Sequence, residues 1–257
     1  MTRIATFNVN GVNGRLPVLL KWLGESDYDI VCLQELKTSD DKFPIDAIRE
    51  AGYGAIWHGQ KSYNGVAILA RGMEPVERRR GLPGDPDDTH SRSRPRWMGS
   101  LWAVSICPMA IQRLAQSSTT SCAGSIASST TASTCSKLGH PVFSAATSNV
   151  VPTQIDAVVP RRWLGDAVYF PECRQAYARM LEGGWIDAVR RIHPEKGIYT
   201  YWNFSYWGGY DRSSGLRMDH LLVSLSLSDR LRSAGVDVDM RGWEKPSDHA
   251  PAWIKLY

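Results

Sequence analysis

Ile30-Val31-Cys32-Leu33-Gln34-Glu35-Leu36-Lys37 is the stretch on which the fold turns. Four continuous apolar residues, Ile30 to Leu33, are what a strand covered on both faces requires. Glu35 stands just past the end of that run. A carboxylate at the C-terminal end of a buried strand is where open α/β sheets place their sites. The stretch therefore predicts a layered α/β protein with chemistry at one sheet edge.

Working outward, Arg3 to Val9 reads as a second strand, and Leu16 to Leu23 as a helix after Asn13-Gly14. Phe43 to Ala51 reads as a helix with Pro44 in its first turn and Gly52 beyond its end. Gly65 to Ala70 reads as a strand, and Gly81 to Asp88 as loop. Towards the other end, Glu172 to Glu182 is predicted helical, and Met218 to Val223 and Ala252 to Leu256 are predicted strands. Neither end holds enough strands for a core alone, so both must share sheets in a single domain over 1–257.

Composition excludes little. The 257 residues are 43% hydrophobic and 22% charged, with a net charge of +4, and the pI is near 8.8. A polyanionic partner is compatible with these figures but not demanded. No apolar run is long enough for a membrane helix, and Met1 to Asn10 lacks the build of a signal peptide, so a cytoplasmic protein is expected. Cys32, Cys107, Cys122, Cys135 and Cys173 show no CxxC spacing and read as free thiols.

Four short motifs carry candidate chemistry. In Thr6-Phe7-Asn8-Val9-Asn10-Gly11, Asn8 and Asn10 share one strand face and offer neutral acceptors and donors. Glu35 offers a hard oxygen of the kind Mg²⁺ takes alongside substrate phosphates. Leu216-Arg217-Met218-Asp219-His220 and Pro246-Ser247-Asp248-His249-Ala250-Pro251 each precede a predicted strand. An Asp from one can orient the imidazole of the other.

In this order and spread, NVNG, LQE, RMDH and SDHAP resemble the exodeoxyribonuclease III family. HGQK with YNGVA (58–67), GLPGDPDDTHS (81–91), GWID (184–187) and YTYW (199–202) fit the same pattern, so the resemblance covers about 2–92 and 149–257. It implies a four-layered αββα sandwich of two mixed β-sheets. It further implies a Mg²⁺-dependent enzyme, with Mn²⁺ as a substitute, that removes nucleotides from 3′ ends of double-stranded DNA and incises abasic sites as a monomer. Carried over by motif, Glu35, Asn8 and Asp248 surround the metal. His249, Asp219 and Asn149 act on the phosphate. Arg217, Trp202 and Asn10 handle DNA.

The middle departs from the pattern. No Asp or Glu occurs between Asp88 and Asp156, and Ser117 to Ser136 holds 13 Ser or Thr in 20 residues. The family's Gly-Asp-x-Asn becomes Ala146-Thr147-Ser148-Asn149, so Thr147 stands where the aspartate that aligns the attacking water should be. The family's Tyr-x-Pro-Asn-Gly is likewise absent near Ile106 to Ala110. Single-codon Trp and Met allow partial back-translation. Ser93 to Gly99, written TCG AGG CCG CGG TGG ATG GGN and read from its third base, gives E-A-A-V-D-G. The same shift over Val104 to Ile126 can yield a stretch containing the missing Y-L-P-N-G. The hypothesis is that 93–136 and roughly 143–148 are out of frame, and sequencing the locus tests it. An uninterrupted gene, without indels near the codons of Arg92 and Ser136, removes the idea.

The aberrant segment 93–148 is thus expected to be unfolded or partly disordered and the enzyme impaired. Thr147→Asp alone is expected not to rescue it, because the core would be lost along with the site. Two other readings stay open: a non-catalytic DNA-binding relative or decayed gene product, and a phosphatase or phosphodiesterase of the same fold.

Overall fold

The computed structural model describes residues 1–80, 91–93, 96–97, 100–101, 103–106, 142–195, 197–204 and 214–257. The GLPGDPDDTHS run (save its last residue), the whole Ser/Thr-rich stretch Ser117 to Ser136 and three of the five cysteines lie outside the described residues.

Two six-stranded mixed sheets form the centre. The first runs β13-β14-β1-β2-β4-β3, from Leu231–Val236, Ala252–Leu256, Thr2–Asn8, Ile30–Gln34, Val66–Arg71 and Tyr53–His58. The second runs β11-β12-β10-β9-β6-β5, from Trp185–Asp187, Asp219–Ser224, Val142–Thr147, Ala103–Ile106, Ser91–Ser93 and Glu77–Arg80. Two short strands, β7 (Arg96–Trp97) and β8 (Ser100–Leu101), pair with each other.

Strand alternation builds the layers. Ile4, Ile30, Cys32 and Ile68 of the first sheet meet Phe143 and Leu221 of the second in one apolar cluster between the sheets. The intervening residues Ala5, Phe7, Val31 and Leu33 face outward, onto Leu19 and Trp22 of helix α1 (Leu16–Glu25). On the far side of the second sheet, Val142, Trp185 and Leu222 pack with Cys173 and Tyr177 of the helix Pro171–Glu182. Helix, sheet, sheet, helix is the expected four-layered sandwich.

Two expectations change. The helix predicted over Phe43 to Ala51 is shorter, Ile45–Glu50, because Pro44 at φ −80° takes a ψ of 56°, outside the helical range. Phe43 instead stacks on Trp57, ring centroids 4.8 Å apart. Residues 143–148 are not lost to the core. Strand β10 pairs parallel with β9 and antiparallel with β12, and Val142, Phe143 and Ala145 are buried. Ser117 to Ser136 lies outside the described residues.

Candidate active site

Sequence-predicted residues from four places meet at one edge between the sheets. β1 and β2 run parallel, so Asn8 and the residue after Gln34 reach the same edge. β14 is antiparallel to β1, which brings the loop before it, with Asp248 and His249, to that edge as well. Asp219 opens β12 with the parity of Leu221 and Val223, and so faces between the sheets.

His249 Nδ1 donates to Asp219 Oδ2 at 2.7 Å, both groups buried. Burial disfavours the imidazolium, but the charge and hydrogen bond of Asp219, aided by Asp248 and Glu35, outweigh it and hold the pKa above the ordinary value. Asp219 itself is fixed by Thr200, whose Oγ1 accepts from the Met218 and Asp219 amides at 3.1 Å each. Tyr201 lies against the imidazole, ring centroids 5.0 Å apart. Asn8 Nδ2 approaches His249 Nε2 at 3.4 Å. The Asn8 amide orientation is set because its Oδ1 accepts the Asn10 N–H at 3.0 Å.

Asn10 bridges the two halves of the site. Its Nδ2 donates to Asp248 Oδ1 at 2.9 Å, and its Oδ1 accepts from Lys37 Nζ at 2.6 Å. Lys37 Nζ also stands 3.0 Å from Glu35 Oε2. Ser247 ties the loop down, donating from Oγ to the Asn8 carbonyl at 2.7 Å. Asn10, Glu35, Lys37 and Asn149 all take positive φ, between 47° and 53°. Non-glycine residues in that region cost about 1–3 kcal/mol each and gather at functional sites.

Donor chemistry decides whether a divalent cation suits this edge. The oxygens of Glu35 and Asn10 converge on the Lys37 ammonium, so the structure already places a cation against a carboxylate and an amide oxygen. Such hard oxygens fit Mg²⁺, which takes one or two carboxylates and fills its other positions with water and phosphate. Asn8, expected beside the metal, has its oxygen turned to the Asn10 amide instead. Among the described residues no three or more His, Cys, Asp or Glu side chains are grouped so that they alone could hold a metal ion.

Two residues expected at DNA are buried. Arg217 is wholly buried. Its Nε lies 2.5 Å from Asp156 Oδ1, its Nη2 2.8 Å from Asp187 Oδ2, and its Nη1 donates to His220 Nδ1 at 3.0 Å. A guanidinium between two buried carboxylates has no free fork for a phosphate. Trp202 is also buried, packed where a Cβ at Gly215 would come within 2.6 Å of its Nε1. Its backbone N–H donates to the Asp248 carbonyl at 3.0 Å and its carbonyl accepts from Arg241 Nη2 at 3.1 Å. Trp202 thus holds the Asp248–His249 loop.

Sequence reading missed Lys37, Thr200 and Ser247. Thr200 lay inside a quoted motif without a role, and Ser247 was read only as a neighbour of Asp248. Asn149 sits just beyond β10, its neighbour Ser148 bonded to Met218 through the backbone at 3.1 Å. Thr147 pairs with Asp219 in the β10–β12 register.

Known proteins match along the whole chain. The model of the endonuclease/exonuclease/phosphatase family matches residues 5–120. Exodeoxyribonuclease III of Haemophilus influenzae is 31% identical over 99% of both chains, and an exodeoxyribonuclease of Bacillus subtilis is 27% identical over 97% of both. Among solved structures, an AP endonuclease from Archaeoglobus fulgidus superposes with a TM-score of 0.88 at 29% identity, covering 100% of this chain and 99% of its own. The 3′ phosphatase NExo from Neisseria, bound to a product DNA hairpin, does so at 0.86 with 32% identity, covering both chains fully. These alignments run through the middle, beyond the 2–92 and 149–257 that the motifs mark out. Among the described residues no helix is long and apolar enough to cross a membrane. With whole-length identity to exodeoxyribonuclease III and an Asp-paired histidine at the sandwich edge, the chain belongs to the exodeoxyribonuclease III family of phosphodiester hydrolases.

Proposed function

We propose that this chain is a Mg²⁺-dependent DNA-repair phosphodiesterase, a cytoplasmic monomer that incises duplex DNA at abasic sites and trims 3′ ends, slowed by Thr147. One observation carries the reading. The Asp219–His249 pair and the convergent oxygens of Glu35 and Asn10 open on the same edge, joined by the Asn10–Asp248 hydrogen bond. Mg²⁺, or Mn²⁺ in its place, held by Glu35 with Asn10 and with Asp248 close by, would supply charge neutralisation at the phosphoryl oxygens.

The protein's own groups do the rest. Asp219 keeps the imidazole of His249 oriented and favours its protonated form, which suits an anionic phosphate. Asn149 supplies a neutral phosphate contact. Burial of the pair strengthens its electrostatics relative to water. With Thr147 the chain has no carboxylate at the position that aligns the attacking water, so this reading expects slow turnover. The same substitution favours a second reading, a relative that binds DNA without cleaving it.

A duplex carrying one abasic site, incubated with the protein and Mg²⁺, separates the two. Slow incision that stops on chelation is expected. Retention of the duplex with no incision at long times supports the non-catalytic relative, and neither binding nor incision overturns both.

A further inference from the structure

Lys37 belongs to no role assigned so far, yet it sits at the centre of the cation-binding edge. Its Nζ is 3.0 Å from Glu35 Oε2 and 2.6 Å from Asn10 Oδ1. The arrangement is built, not incidental. Asn10 cannot turn its oxygen away without giving up the bond from its Nδ2 to Asp248. The backbone on both sides is pinned: Gly11 N–H donates to the Glu35 carbonyl at 2.8 Å, Val12 N–H to Leu36 at 3.0 Å, and Lys37 N–H to Asn64 at 2.9 Å. Only the four-carbon stem of Lys37 is left to move, and its side chain is 35% exposed.

We propose that Lys37 is an internal cation that occupies the metal position of the metal-free protein and must swing off Glu35 and Asn10 before Mg²⁺ binds, so that it sets the metal affinity. The proposal rests on the reading of Glu35 as the metal's carboxylate. A compact ammonium and a divalent ion cannot share two oxygens at these distances, because their mutual repulsion would act over a few ångströms. Apparent metal affinity is then reduced by the fraction of molecules in which the carboxylate is free. A partly exposed ion pair backed by one charge-assisted hydrogen bond leaves that fraction at roughly a third to a tenth. The displaced ammonium is released at the edge where a phosphate would arrive.

Calorimetric titration of the full chain with Mg²⁺ tests this, using wild type, Lys37→Met and Glu35→Gln, each checked for a cooperative unfolding transition. Lys37→Met keeps the stem and removes the charge, and Lys37→Gln serves if it fails to fold. A Kd about three- to tenfold tighter than wild type is expected for Lys37→Met, and a much weaker one for Glu35→Gln. A second measurement needs no variant: saturating Mg²⁺ should raise the rate at which acetic anhydride labels Lys37, followed by peptide mass spectrometry. Unchanged or weaker Mg²⁺ binding in Lys37→Met, or labelling that Mg²⁺ leaves unaltered, overturns the proposal while the metal reading stands. Glu35→Gln binding Mg²⁺ as wild type does overturns the metal reading, and so does an absence of binding in every chain; either result takes the proposal with it.

Discussion

Arg217→Met is expected to lower the stability of the protein by about 3–5 kcal/mol, the range for removing one partner from a buried ion pair. That is a large share of the roughly 5–15 kcal/mol that holds a domain together. The reason is what remains behind. Asp156 and Asp187 are both buried, and both lean on the guanidinium. Burial alone would raise the Asp156 pKa, but the charge and hydrogen bond of Arg217, with bonds from Thr153 and Arg190, bring it down to about 2. Asp187 is also buried and held low, with Arg217 the leading opponent of its burial and the Tyr177 hydroxyl donating to it at 2.7 Å. Without Arg217, Asp187 keeps only neutral donors at close range.

Urea unfolding of wild type and Arg217→Met measures the loss, and Asp187→Asn in the Met background should recover part of it by removing the stranded charge. A loss under about 1 kcal/mol would mean that the carboxylates find other partners. The sign with pH follows from the depressed pKa of Asp156. Its contribution is present above the unfolded value of 3.8 and is lost as pH falls towards about 2. Wild type should therefore lose stability across that acid window more steeply than Arg217→Met does.

The same cluster shows where sequence reading stops. Ile30 to Leu33, Ala252 to Leu256 and the helix ending at Glu182 announce themselves through local pattern, and the structure has them within a residue or two. The Asp219–His249 pair was legible because each residue sits in a short motif just ahead of a strand. The burial of Arg217 was not legible because it depends on partners far along the chain, Asp156 lying 61 residues away. Nothing in Gly-Leu-Arg-Met-Asp says that the arginine points inward. Lys37 was passed over for a related reason. It faces Glu35 only because both take positive φ after the strand ends, and no periodicity encodes that. Tyr53–His58 and Leu231–Val236 escaped notice as strands because both lie at sheet edges, where glycine and polar residues dilute the alternation.

Thr147→Asp carries the largest expected gain in activity. The sequence alone argued against rescue by this change, because it repairs the site without repairing a core whose apolar pattern is gone from Ser117 to Ser136. That stretch lies outside the described residues, but β10 itself is in register on both sides, with Phe143 and Ala145 buried between the sheets. Position 147 pairs with Asp219 in the β10–β12 register, and Asp219 is the residue that orients His249. In the family's Gly-Asp-x-Asn motif this position holds the aspartate that aligns and deprotonates the attacking water, a contribution of about 10²–10⁴ in rate for a positioned general base. The cost is a second negative charge opposite Asp219, and like charges across a strand pair cost up to about 1 kcal/mol. His249 already offsets one of the two.

Single-turnover incision of an abasic duplex in saturating Mg²⁺ should therefore be at least about a hundredfold faster in Thr147→Asp than in wild type, with duplex affinity little changed. Thr147→Asn, of the same size and without the charge, should stay near wild type. Equal rates for the Asp and Asn variants would show that position 147 does not limit the reaction. The proposed impairment would then have to come from residues 93–136, and restoring the shifted frame there would test it.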